Sequence, residues 1–218
     1  MALLVATALA AGSLALTATP AHAIGVCSIN GIETIAVDDT ITGTEDNDTI
    51  YCVGLSLTDL TIDALGGNDT ITVTGDASHL EVNAGDGNDN IFFLHDLDGD
   101  SEIDGGAGND TVRAIAVYGS NVYGGTGNDT FHLSKVVRSD VSGDEGNDTI
   151  YVDDILGILF VGGATVAGGD GDDLIRAEPP RRDTYVGEGN TVDGEAGTDT
   201  CFYVQPTRGD VENCEITS

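Results

Sequence analysis

Residues 124–130 read GGTGNDT, and this phrase decides the fold of the chain. Looser copies recur seven more times, and the eight together end on Asp48, Asp69, Asp89, Asp110, Asp129, Asp148, Asp173 and Asp199. Successive marker aspartates lie 21, 20, 21, 19, 19, 25 and 26 residues apart. A sustained period of about 20 residues signals units that stack on one another rather than a single globular core.

Aligned on the marker, the copies agree at positions that carry no acid. Two residues after it stand Ile50, Ile71, Ile91, Val112, Phe131, Ile150, Ile175 and Cys201; four after it stand Cys52, Val73, Phe93, Ala114, Leu133, Val152, Ala177 and Tyr203. Alternation with period two predicts a strand with these side chains inward. Seven residues before the marker stand Ile41, Ile62, Val82, Ile103, Val122, Val141, Val166 and Val192, all β-branched. They predict a second strand, which enters the turn through a small residue at −5, either Gly or Ala. One coil is then strand, glycine-rich turn, strand and second turn, with two parallel sheets facing each other across a thin aliphatic core.

The outward positions read differently. The +1 row is mostly Thr, as suits an exposed strand. The +3 row, Tyr51, Thr72, Phe92, Arg113, His132, Tyr151, Arg176 and Phe202, is irregular and does not repeat a ligand pattern.

The turn itself has the chemistry of a hard-cation site. Glycines at −4 and −2 (Gly67, Gly87, Gly106, Gly108, Gly125, Gly127, Gly146, Gly169 and Gly171) let the backbone take positive φ and aim carbonyl oxygens at one point. The marker carboxylate adds a negative oxygen. Oxygen ligands in a flexible cage suit Ca²⁺ better than Zn²⁺ or Mg²⁺. One turn supplies too few oxygens for a coordination number of about six to eight, so each ion is expected between two successive turns. Eight turns then allow up to about seven ions in one row. Without them, carboxylates about 5 Å apart repel by roughly 1 kcal/mol in water and roughly 3 kcal/mol near a protein surface. Ion binding is therefore expected to be coupled to folding.

These residues resemble the hemolysin-type calcium-binding repeat (RTX) proteins, whose nonapeptide is G-G-x-G-x-D-x-U-x. GGAGNDTVR at 105–113, GGTGNDTFH at 124–132 and GGDGDDLIR at 168–176 match it fully. The resemblance runs over roughly residues 40–204. It implies a parallel β-roll with Ca²⁺ in the turns, held by the marker aspartate and backbone carbonyls. The phrase occurs once per coil instead of every nine residues, so only one edge is expected to carry metal. The first copy, GTEDNDTIY, has Asp46 in place of the −2 Gly, and the last, GEAGTDTCF, has Glu195 and Thr198. The expected fold is all-β: a right-handed parallel β-roll or β-solenoid of about eight coils, with a single row of calcium-binding turns.

Composition sets the outer limits. With 38 acidic and 7 basic residues the formal net charge is −31, which opposes nucleic acid and anionic membranes and favours cations. Residues 1–23 form an uncharged Ala/Leu-rich run ending in Ala21-His22-Ala23 and read as a secretory signal peptide, with a start expected further upstream because no basic n-region is present. No other stretch is long and apolar enough to insert in a membrane, and an extracellular location follows. Of the four cysteines, Cys52 lies in the first coil and Cys201 in the last, too far apart to bond. The expected pairs are Cys27–Cys52 and Cys201–Cys214, stapling caps at 24–40 and 205–218 over the ends of repeats at 41–204.

The two long spacings place extra residues, DDILGILFVGG and EPPRRDTYVGEG, on the turn opposite the aspartates. Asp96–Glu102 superficially resembles an EF-hand loop but has Ser101 at loop position 6 and Ala107 where the bidentate Glu belongs. His79, His95 and His132 are isolated, and neither H-E-x-x-H nor G-x-S-x-G occurs, so no catalytic residue is expected. The function expected is a secreted, calcium-ordered structural or surface-associated binding module, its protein or glycan partner unspecified. One rival is an ice- or mineral-binding solenoid, which needs a Thr row; the slot at −3 runs Glu45, Gly66, Asp86, Ala107, Thr126, Glu145, Asp170 and Ala196, a single Thr. Another is a polysaccharide-modifying enzyme or toxin fragment, for which nearly all the chain is already committed to repeats.

Overall fold

A computed structural model describes residues 26–34, 36, 39–153, 163–177, 189–203 and 209–216. The leader at 1–23 and most of the two inserted loops, including Pro179, Pro180, Arg181 and Arg182, lie outside the described residues.

The chain winds as a parallel β-solenoid. Strands that follow the marker turns (Thr49–Thr58, Thr70–Ser78, Asn90–Asp98, Thr111–Tyr118, Thr130–Leu133, Thr149–Val152, Leu174–Ala177 and Thr200–Tyr203) pair in parallel in chain order, forming what is called here the exit sheet. Strands that precede the turns, from Thr40–Thr44 to Thr191–Ala196, form the entry sheet. Register follows the aligned rows: Ile50 pairs Ile71, Ile71 pairs Ile91, and so on to Ile175 and Cys201. A slip by one residue would turn each row to solvent, so the aliphatic rows themselves fix the pairing.

The core is made of the rows at −7, +2 and +4, all buried except Tyr203, which is half-buried at the C-terminal end. A further inward row, Leu57, Ala77, Leu97, Val117 and Val136, lines the far side of the coil, where the alignment had predicted only a turn. Here the longer exit strands bend; the register shifts between Val53 and Ser56 and again between Ala114 and Ala116. The shifts change which residues face inward, so a period counted from the marker loses them.

At the second turn, three buried serines replace the aspartates as coil-to-coil connectors. The Leu80 N–H donates to Ser101 Oγ (3.0 Å), the Ser101 N–H to Ser120 Oγ (3.2 Å) and the Ser120 N–H to Ser139 Oγ (3.2 Å). Two coils on, the Ala164 N–H donates to Asn190 Oδ1 at 2.8 Å. Both edges of the solenoid are thus satisfied by side chains where the backbone leaves the sheets.

The ends differ from each other. Val26–Ile29 and Ile32–Thr34 form a hairpin laid antiparallel on Thr49–Thr58, with Cys27 opposite Cys52 and bonded to it (Cα–Cα 4.1 Å). Cys201 is bonded to Cys214 (Cα–Cα 5.6 Å). Asp210–Glu212 and Glu215–Ile216 add parallel strands to the two sheets, so this segment begins another coil. Parallel addition satisfies the backbone groups of the last rung directly.

Candidate calcium-binding turns

Every marker aspartate turns its side chain into the protein; all eight are at most 3% exposed. One carboxylate oxygen builds a ladder. Asp69 Oδ1 accepts from the Asp48 N–H, Asp89 Oδ1 from Asp69, Asp110 Oδ1 from Asp89, Asp129 Oδ1 from Asp110, Asp148 Oδ1 from Asp129 and Asp173 Oδ1 from Asp148, each at 2.7 Å. Asp199 Oδ1 closes it on Asp173 N–H at 3.0 Å.

A second ladder runs alongside in the opposite sense. The N–H of Asn68 donates back to Asn47 Oδ1 (2.8 Å), and the steps continue through Asn88, Asn109, Asn128 and Asn147 to Asp172 and Thr198. Sequence reasoning missed this role. Its signal was the Asn at −1 in six of the eight copies, too regular for a residue that merely faces solvent.

The other carboxylate oxygen is the informative one. Oδ2 of Asp69, Asp89, Asp110, Asp129, Asp148, Asp173 and Asp199 is buried with no hydrogen-bond partner. A buried carboxylate oxygen left bare costs several kcal/mol or takes up a proton or a cation. Asp48 is the exception: the Thr44 N–H (2.6 Å) and Oγ1 (2.9 Å) donate to its Oδ2, and Asn30 Nδ2 donates to its Oδ1 (2.6 Å). The first turn therefore satisfies its own carboxylate.

Most of these oxygens approach the residue at −5 closely. A Cβ placed on Gly105, Gly124, Gly143, Gly168 or Gly194 would collide with Oδ2 of the same coil's aspartate and with a main-chain carbonyl of the next coil. Glycine at −5 thus lets two oxygens, a carboxylate and a carbonyl, approach each other across the turn. In the coils of Asp69 and Asp89 the −5 residue is a buried alanine, Ala64 or Ala84.

All nine glycines predicted at −4 and −2 have positive φ, from 97° at Gly106 and Gly125 to 150° at Gly171. At Gly108 the requirement is absolute, because a Cβ would fall on the Gly87 carbonyl of the preceding coil. Leu65, Asp144 and Glu195 hold the −4 place in the same left-handed region at φ of 74°, 69° and 64°. That conformation strains a residue with a Cβ.

Electrostatics follow from this enclosure. Burial, with neighbouring carboxylates adding to it, pushes Asp110 and Asp148 up to about 7 and Asp89, Asp129 and Asp173 up to about 6. Asp69 and Asp199 are raised for the same reasons. The ladder hydrogen bond from the preceding aspartate opposes the shift in every case, and burial prevails.

The donors present fit Ca²⁺. They are hard oxygens, negative, stacked in single file and adjacent to main-chain carbonyls. Among the described residues no three Asp, Glu, His or Cys side chains converge on one point, Asp96–Glu102 included, so most ligands must come from the backbone. When bound, Ca²⁺ would neutralise the file of carboxylates.

Comparison with protein families gives the RTX calcium-binding nonapeptide repeat four times, over residues 36–51, 120–134, 140–154 and 161–178. The first match covers the copy that lacks the −2 Gly, and the later ones cover turns in which Oδ2 is bare. Comparison with curated proteins gives no match. The chain is a parallel β-solenoid built on RTX calcium-binding nonapeptide repeats.

Proposed function

We propose that the chain is a secreted module that completes its folding when it meets extracellular Ca²⁺, holds the ions between successive marker turns, and then serves as a rigid binding surface rather than as a catalyst. The observation that carries this reading is the file of seven buried, unpartnered Oδ2 atoms. Each marker carboxylate from Asp69 to Asp199 has one oxygen engaged in the ladder and one free for a cation. Six coils have glycine at −5; in five of them, those of Asp110, Asp129, Asp148, Asp173 and Asp199, the close-lying Oδ2 is also without a partner. Asp48, already satisfied by Thr44 and Asn30, acts as a terminal clamp.

The regular carboxylates are taken up by the turns, while His79 and His95 each lie beside one exposed aspartate (3.8 and 3.6 Å) and apart from each other. This supports binding over catalysis. The disulfides support passage through an oxidising compartment. Far-UV circular dichroism of the mature chain in calcium and in chelator tests the proposal. A gain of β signal with Ca²⁺ is expected; an identical folded spectrum in chelator would defeat the coupling of binding to folding.

A further inference from the structure

The two broad faces of the solenoid differ sharply in charge. On the entry sheet, the sixteen positions at −8 and −6, all at least partly exposed except Ala167, carry six acids, Asp63, Glu81, Glu102, Asp104, Asp140 and Asp193, and no Lys or Arg. On the exit sheet, the sixteen outward positions at +1 and +3 carry no acid and two arginines. In a chain with a net charge of −31, two outward rows without an acid along successive coils are a clear segregation, with Asp153 at +5 standing near His132 as the acid at their margin.

That face also gathers rings. Parallel register stacks Phe92, Arg113, His132, Tyr151, Arg176 and Phe202 in successive coils. The Arg113 guanidinium lies 5.8 Å from the Phe92 ring centre and that of Arg176 lies 4.4 Å from Phe202. His132 and Tyr151 stack with centroids 4.9 Å apart and planes 10° from parallel. Among the described residues neither arginine forms an ion pair, and Arg176 Nε has no hydrogen-bond partner. Among the described residues, the exposed large hydrophobics outside the N-terminal hairpin, Tyr51, Val53, Leu94 and Ile115, all belong to this same sheet, whose far ends also carry the exposed acids Asp76, Asp96 and Asp98.

We propose that the exit-sheet face is the docking surface for a linear acidic polysaccharide of uronate type. Rings lying along a flat strand row present faces on which the C–H faces of sugar rings pack. The exposed Arg113, beside the Phe92 ring, keeps its N–H groups available for paired hydrogen bonds to a carboxylate, whereas Arg176 Nε is buried and only the outer guanidinium nitrogens could serve there. The neighbouring threonine row supplies hydroxyls, and coils rising about 4.8 Å apart give a track rather than a pocket. A nucleic acid is disfavoured because its dense phosphate charge meets only these two arginines on a strongly acidic chain. The entry face repels a polyanion, so orientation is set by charge.

This inference rests on the binding-module reading and names the partner class of that module. Its test is calorimetric titration of the full mature chain with hyaluronan oligosaccharides, in calcium and in chelator, with circular dichroism on the same samples. Hyaluronan and an uncharged glycan, hydroxyethyl cellulose, are compared. Arg113→Glu and Tyr151→Ala are each expected to weaken hyaluronan binding by about tenfold or more, with an unchanged spectrum in calcium. Glu102→Gln, on the opposite face, is expected to change it by less than about twofold. Absence of hyaluronan binding by the calcium-folded chain, binding indifferent to both exit-face variants, or equal binding of the uncharged glycan would each overturn the proposal. So would a self-association abolished by Arg113→Glu without glycan binding. Full folding and hyaluronan binding in chelator would keep the docking face and remove the calcium-coupling reading instead.

Discussion

Replacing Asp129 by Asn separates the two jobs of the marker carboxylate. The amide oxygen can still accept from the Asp110 N–H, as Oδ1 does at 2.7 Å, while the bare Oδ2 becomes an uncharged NH₂ group. Carboxylates one coil apart, about 4.8 Å, repel by about 1 kcal/mol in water and about 3 kcal/mol in a partly buried setting. In chelator at pH 8, where a group raised to about 6 is charged, Asp129→Asn should therefore gain about 1–3 kcal/mol per neighbour relieved. In calcium the sign reverses, because a charged ligand has been lost.

The pH dependence has the same origin. A carboxyl whose folded pKa lies above its unfolded value takes up a proton on folding, so its contribution is full in acid and is lost as pH rises through about 6 to 7. The metal-free chain is then more folded at pH 5 than at pH 8, whereas calcium binding, which needs the charged form, weakens as pH falls. Urea titration followed by circular dichroism, for wild type and Asp129→Asn at both pH values in chelator, reads these differences. An Asn variant less stable than wild type in chelator at pH 8 would refute the reasoning.

The remaining predictions concern parts of the coil away from the carboxylate file. Ser120→Ala removes a 2% exposed hydroxyl that accepts from the Ser101 N–H and donates to the Tyr118 carbonyl at 3.1 Å; it should cost about 1–3 kcal/mol in urea unfolding while leaving calcium stoichiometry unchanged. Leu65→Gly relieves a left-handed leucine at φ 74° and should raise the melting temperature by about 2–4 °C, corresponding to about 1 kcal/mol. Reduction of Cys27–Cys52, which closes a separation of 25 residues, should lower stability by about 2–4 kcal/mol, read by thermal melts with and without reductant.

What could be read from the sequence was whatever repeats in a fixed frame. Ile50, Val122 and their equivalents fall on inward rows because a strand alternates with period two, and the same frame put Cys27 beside Cys52. The predicted glycines took positive φ because each sits where a Cβ would strike the neighbouring coil. The frame fails where the chain bends. Leu97 and Val117 became core only after a register shift, and Ser101, Ser120 and Ser139 became connectors at an edge read as a plain turn.

Within the marker turn, sequence showed that an aspartate was needed but not that its Oδ1 is committed to the preceding coil. Nor could spelling alone distinguish Asp48, quieted by Thr44 and Asn30, from Asp129, left bare. Both facts depend on neighbours 4 to 21 residues away meeting across a turn. The +3 row reads as irregular because its residue types vary; stacking brings the varied types together as cations over rings.

Counting bound ions while folding is monitored tests the calcium assignment most directly. Equilibrium dialysis of the refolded mature chain against Ca²⁺, with circular dichroism at each free concentration, should give several ions per chain, bounded by the seven bare Oδ2 atoms, with β signal rising as they load. A chain that binds one ion or none, or whose spectrum is complete before any ion is bound, would contradict it.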